Sequence, residues 1–221
     1  MPVYRKHQLL HVHVPKTGGT AIESYFHSIG DMVWGLPSWV GQERWNGRWF
    51  EFQHLSKAEL RGFTGSEFDE YESFAVVRDP YSRLVSQFLW RQTVSTHYPN
   101  SSIRVFESVG ALLEAIPRDI DAHWDEHIKS ANQNDANFLI HVRPQHHYVF
   151  DDKAICLVDH ILRFEQLQTD IAPLLEPRGL SAKTFRNNPI RCLEAYFSQQ
   201  QLDLVADLYG PDFLHFSYPH L

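Results

Sequence analysis

Residues 9–29 read LLHVHVPKTGGTAIESYFHSI, and they predict a buried strand, a tight loop and a helix. Leu9, Leu10, Val12 and Val14 suit a strand covered by other elements. Pro15 has no N–H to give to a ladder and stops it. Gly18 and Gly19 let the backbone turn sharply and come close to a ligand. Thr20 fits a helix N-cap, with Glu23 three residues on as the other half of a capping box. Ala21, Ile22, Tyr25, Phe26 and Ile29 form an apolar stripe at helical spacing. Amides at a helix N-terminus lack intrahelical partners and sit at the positive end of the dipole, so a glycine loop feeding such an end is an anion site suited to phosphate or sulfate. Lys16 adds a cation, and Thr17 and Thr20 add hydroxyls. The pattern is neither GxxxxGK[ST], in which lysine follows the glycines, nor GxGxxG.

A second stretch, SFAVVRDPYSRLVSQFLW at 73–90, predicts a short strand over Phe74–Val77 and a helix from Pro80 to about Arg91. Arg78 falls at the strand's carboxyl end, and Ser82 and Ser86 share a helix face, with Leu84, Val85, Phe88 and Leu89 free to face a core. An arginine fork and a serine hydroxyl together suit phosphate oxygens. Asp79 and Arg83 could serve that motif or pair with each other. Between the two stretches, WFEFQH at 49–54 predicts a strand ending in His54, followed by a helix over about Lys57–Gly62. Active-site groups of parallel α/β sheets gather at carboxyl strand ends. A histidine there, with an ordinary pKa near 6.5, is a candidate general base.

The order VPKTGGTAIESYF resembles the 5′-phosphosulfate loop of sulfotransferases, in particular the carbohydrate branch that holds the heparan 2-O- and chondroitin 4-O-sulfotransferases (sulfotransferase family 2). RDPYSRLVSQF resembles that family's 3′-phosphate motif. The resemblance implies a single α/β domain over residues 1–221, with a central parallel sheet flanked by helices in the P-loop-NTPase-like manner. It implies 3′-phosphoadenosine 5′-phosphosulfate (PAPS) as donor and 3′-phosphoadenosine 5′-phosphate (PAP) as product. Lys16, Thr17, Gly18, Gly19, Thr20 and Ala21 would hold the phosphosulfate, and Arg78 and Ser86 the 3′-phosphate. Lys16 and His54 would be the catalytic pair, without a metal, and the acceptor would be a hydroxyl, with a saccharide the leading choice. HVRPQHHY at 141–148 resembles the family's HxxPQ segment, which implies His141 and Arg143 at the acceptor pocket. KAICLVDHILRFEQ at 153–166 stands for a strand pair with a GxFE-like element. The basic loop at 179–189 offers Lys183, Arg186 and Asn188 to the nucleotide, and YGPDFLHFSYP resembles the family's terminal run, read here as core packing.

The 221 residues suit one domain, and 43% hydrophobic with 14% aromatic content marks a folded chain. A net charge of −7 argues against a general nucleic-acid binder. No apolar run near the amino end suggests a signal or a membrane span. Animal relatives of the family are Golgi-anchored and often disulfide-bonded, so the expectation here is a cytoplasmic enzyme of bacterial type or one trimmed of its anchor. Cys156 and Cys192 are expected as buried thiols outside any disulfide or metal set. The Gly- and Trp-rich stretch at 30–47 reads as a loop over the core or a wall of the acceptor site. Val105–Ile116 predicts a helix ended by Pro117, and Gln168–Leu175 another. His123 and His127 have metal-pair spacing without a third ligand. Two other readings stay open: a P-loop-like nucleotide kinase or phosphotransferase, and a PAPS-binding protein without catalysis.

Overall fold

A computed structural model of the chain describes residues 1–31, 33–34, 42–98, 103–185, 189–190 and 192–221. Its strands are β1 (Pro2–Tyr4), β2 (Leu9–Val12), β3 (Val33–Trp34), β4 (Gln42–Trp45), β5 (Arg48–Glu51), β6 (Glu72–Val77) and β7 (His160–Arg163). Its α-helices are α1 (Gly19–Ser28), α2 (Lys57–Thr64), α3 (Pro80–His97), α4 (Val109–Glu114), α5 (Trp124–Ser130), α6 (Gln133–Val142), α7 (His146–Val149), α8 (Leu167–Leu175), α9 (Gln199–Leu208) and α10 (Gly210–Phe216). They fall into two compact units. One comprises Met1–Gly41, Phe52–Arg78 and His147–Asn188; the other comprises Gln42–Glu51, Asp79–His146 and Pro189–Leu221.

The first unit is built on a five-stranded sheet in the order β3-β1-β2-β6-β7. β2, β6 and β7 run parallel, with His11 opposite Phe74 and Val76 opposite Leu162. β1 runs antiparallel to both its neighbours, so the expected parallel sheet carries one reversed strand. Every residue of β2 is buried, as a strand covered on both faces requires. On one face Leu9, Phe74, Val76 and Leu162 meet Ile22 and Phe26 of α1 and Leu167, Ile171 and Leu174 of α8. On the other, Leu10 lines a shallow cleft with Leu60 of α2 and Phe68. This is the expected α/β layering, and helix α2 starts on a capping box made by Ser56 and Glu59.

The second unit holds the β4–β5 hairpin and a set of helices. Asn46 and Gly47 turn the hairpin with φ of 48° and 79°, the twist that an Asn-Gly pair supplies. The expected strand at 49–54 is therefore corrected. β5 stops at Glu51 and, among the described residues, pairs with β4 alone, and Phe52–His54 is a 3-10 turn. α3 begins with Pro80 behind an Asp79 cap and runs on to His97, past the expected end near Arg91. Leu84 and Val85 are buried, but Leu89 is exposed, contrary to its expected place in a core. The helix expected over Val105–Ile116 is the shorter α4. The strand pair expected over 153–166 is one strand, β7, plus an isolated bridge between Phe150 and Cys156. Cys156 and Cys192 are exposed thiols, not buried ones.

Candidate active site

β2 delivers the chain to the glycine loop. Beyond Val12 the amide of Val14 bonds back to the Val12 carbonyl, and the buried Thr17 hydroxyl donates to the Val14 carbonyl at 2.8 Å. Lys16 takes φ of 69° and Gly18 φ of 90°, so the backbone reverses within three residues. Helix α1 then opens at Gly19 with Gly18 as its N-cap and no side-chain cap. Thr20, expected as the cap, lies exposed in the first helical turn. Ala21 and Ile29, expected in the apolar stripe, are exposed too. A helix end left without a side-chain cap keeps its first amides for a ligand. The loop itself, PKTGGT, carries a cation, hydroxyls and amides and no acid, a donor set that fits a phosphosulfate.

Glu23 does not close a capping box. Its carboxylate accepts from His13 Nδ1 at 2.5 Å and from Gln53 Nε2 at 3.1 and 3.3 Å. Burial pushes the Glu23 carboxyl up, but the bonds from His13 and Gln53 outweigh it and hold the group below its ordinary value, as a carboxylate. His13 is buried with its ring against Gly19, so close that a Cβ there would lie 2.2 Å from Nε2. His11, two residues back, stacks on Phe74 at 4.8 Å and on His13 at 5.2 Å. Burial, with His13, the amino terminus and His54 adding to it, drives the His11 pKa well below its usual value, so this ring is neutral.

His54 closes the group. It is buried, its ring meets His13 edge-on at 4.6 Å, and its Nδ1–H donates to the His13 carbonyl at 2.8 Å. A carbonyl can only accept, so this bond fixes the neutral tautomer and puts the lone pair on Nε2. A base must present such a nitrogen.

Arg78, at the end of β6, is buried. It donates to the Lys16 carbonyl at 3.1 Å and lies 4.1 Å above the Phe164 ring, which also packs under Gly18. The carboxyl ends of β2 and β6 thus bring Lys16, the loop and Arg78 together. Lys183 is exposed in a 3-10 turn. Arg186 and Asn188 lie outside the described residues, as do residues 32 and 35–41 of the Gly- and Trp-rich stretch.

In the second unit, Ser86 is half-buried on α3. Asp79 accepts from the Ser82 amide, and Arg83 donates to the carbonyls of His141 and Arg143 at 3.2 and 2.9 Å. Asp79 and Arg83 therefore both hold backbone groups. His141 is buried between Gln87, Glu51 and the Trp90 ring, and Arg143 lies over Trp124. His123 and His127 flank the Asp119 carboxylate. His146 lies in the HVRPQHHY stretch and Asp212 in the terminal YGPDFLHFSYP run, but neither stretch discloses their pairing. Asp212 is fully buried and accepts from the amides of Gln145 and His146 and from His146 Nδ1. Asp121 takes the other ring nitrogen of His146 at 3.0 Å. Burial disfavours its charged form, but the two aspartates prevail and raise the His146 pKa to about 9.

Among the described residues, no helix is long and apolar enough to cross a membrane. A family model described as Sulfotransferase family matches residues 1–219. No curated protein and no solved structure gives a match.

Proposed function

The chain belongs to the sulfotransferase family, and on that premise we propose that it moves a sulfuryl group from PAPS to a hydroxyl of a saccharide, with His54 as the base. The observation that carries this reading is the arrangement in the first unit. An uncapped helix end and Lys16, whose carbonyl Arg78 holds, follow closely on His13, whose carbonyl fixes the tautomer of the buried His54 with Nε2 as the basic nitrogen.

PAPS, when bound, supplies a sulfuryl group on a phosphate leaving group. By analogy with phosphoryl transfer, catalysis then consists of positioning and charge stabilisation. Lys16 and the first amides of α1 meet the charge that develops on the leaving oxygen, a type of contact worth about 3–4 kcal/mol at the transition state. Arg78 presents its guanidinium to the 3′-phosphate. His54 takes the acceptor's proton at Nε2, worth roughly 10²–10⁴-fold. We place the enzyme in the cytoplasm as one domain, a location that suits the exposed thiols of Cys156 and Cys192.

The test is an acceptor screen with sulfur-labelled PAPS over desulfated heparin, desulfated chondroitin, simple glycosides and small alcohols, followed by mass analysis. Label should pass to a saccharide with release of PAP. Transfer only to a non-saccharide would overturn the acceptor class. Turnover of ATP with none of PAPS would overturn the donor.

A further inference from the structure

Three elements of the first unit meet at one carboxylate. Glu23 sits on α1, the helix whose first turn ends the glycine loop. His13, which donates to it, stands at the end of β2 just before that loop. Gln53, which donates to both its oxygens, precedes His54 in the same 3-10 turn. The His13 carbonyl in turn receives the Nδ1–H of His54. His13 is held on its remaining sides by the His11 ring, the His54 edge and the bare Cα of Gly19.

We infer that Glu23 is a positioning residue that sets the orientation and tautomer of His54 relative to the glycine loop. It ties the loop's helix to the strand end whose carbonyl orients the histidine, and to the turn that carries the histidine. The buried network is fully used. Both carboxylate oxygens accept, and burial without those bonds would be costly. A carboxylate suits the role and an amide does not: glutamine at 23 could accept through one oxygen only and would turn its NH₂ toward a donor. The inference rests on the reading of His54 as the base.

The experiment uses the full chain saturated with PAP, the product nucleotide, so it needs no acceptor. Nitrogen NMR of labelled histidine reads the His54 tautomer in wild type, Glu23→Gln and Gln53→Ala, alongside PAP affinity and melting temperature. Wild type should show His54 as the Nδ1–H form. Each variant should shift the tautomer ratio by about three- to tenfold, the worth of one net hydrogen bond, with PAP affinity little changed. Variants that melt lower yet keep the wild-type tautomer would overturn the inference, since a merely structural role moves stability alone. Gln53→Ala leaves the His13–Glu23 pair in place, so the question stays answerable should Glu23→Gln fold poorly. The base reading has its own outcome: if His54→Ala keeps transferring label from PAPS, that reading fails while the tautomer result stands.

Discussion

Replacing Gly19 with alanine tests the whole arrangement with one methyl group. A Cβ at 19 would lie 2.2, 2.3 and 2.6 Å from Nε2, Cδ2 and Cε1 of His13, where ordinary contact begins near 3.4 Å, so the ring must retreat by about 1.2 Å. It has little room to do so, because Glu23 holds Nδ1 and the rings of His11 and His54 lie on it. Overpacking of this kind costs about 1–3 kcal/mol. For a chain of this size that lowers the melting temperature by roughly 2–12 °C. A shift near 1 Å in groups that orient the base costs about 10² in rate. Thermal melts and transfer rates at saturating PAPS measure both. Gly110→Ala is the control: its Cβ would lie 2.3 Å from Gln201 Nε2, the far end of a long side chain that can swing aside. Its cost should stay under about 1 kcal/mol. A Gly19→Ala enzyme with wild-type melting and rate would refute the packing argument. A lower melting point with an unchanged rate would sever His13 from the chemistry.

Lys16→Ala should lower kcat by about 10²–10³, because the charge it meets develops during S–O cleavage; a rise in KM alone would make Lys16 a binding residue. Arg78→Ala should weaken PAP binding far more than binding of adenosine 5′-phosphosulfate, and calorimetry with equal losses for both would refute its assignment to the 3′-phosphate. His54→Ala should abolish most transfer and remove the fall of kcat/KM at low pH, with PAP affinity kept; a folded variant that turns over normally would move the base elsewhere, to His141 or Glu51. His146 has its folded pKa raised from 6.5 to about 9, so its contribution, about 3 kcal/mol, is fully present below pH 6.5 and lost as pH rises through 9. Urea midpoints of His146→Gln should therefore sit below wild type at pH 6 and converge toward pH 10, and parallel curves would refute the assignment.

What the sequence disclosed was local. The strand, glycine loop and helix at 9–29 and the strand and helix at 73–91 depend on near neighbours, and these elements formed, although Gly18 rather than Thr20 caps the first helix and α3 runs on to His97. Misreadings arose where a distant partner decided. Glu23 had the spacing for a capping box, but His13 and Gln53 claim it, and Gly18 at φ of 90° caps the helix instead. Leu89 has the spacing of a core residue, yet it is exposed. His54 was found for a partly mistaken reason, since no parallel strand carries it. The signal that would have corrected the strand was present in Asn46-Gly47, the strongest short-range mark of a hairpin. His13 also had a signal, a polar residue within the buried run that leads into the loop. Asp212 and His146 lie in stretches that were singled out, but their pairing had no signal, because it joins segments 66 residues apart.

The left-handed backbone at Lys16 has a consequence for what selection can do. A side chain at φ of 69° costs about 1–2 kcal/mol that glycine would avoid. With Lys16 in the role proposed for it, heat resistance and turnover pull in opposite directions at this position: a screen for thermal survival alone would favour glycine and discard the ammonium, whereas a screen for turnover would keep the strained lysine. Stabilisation of this chain has to be sought elsewhere, with position 16 held fixed.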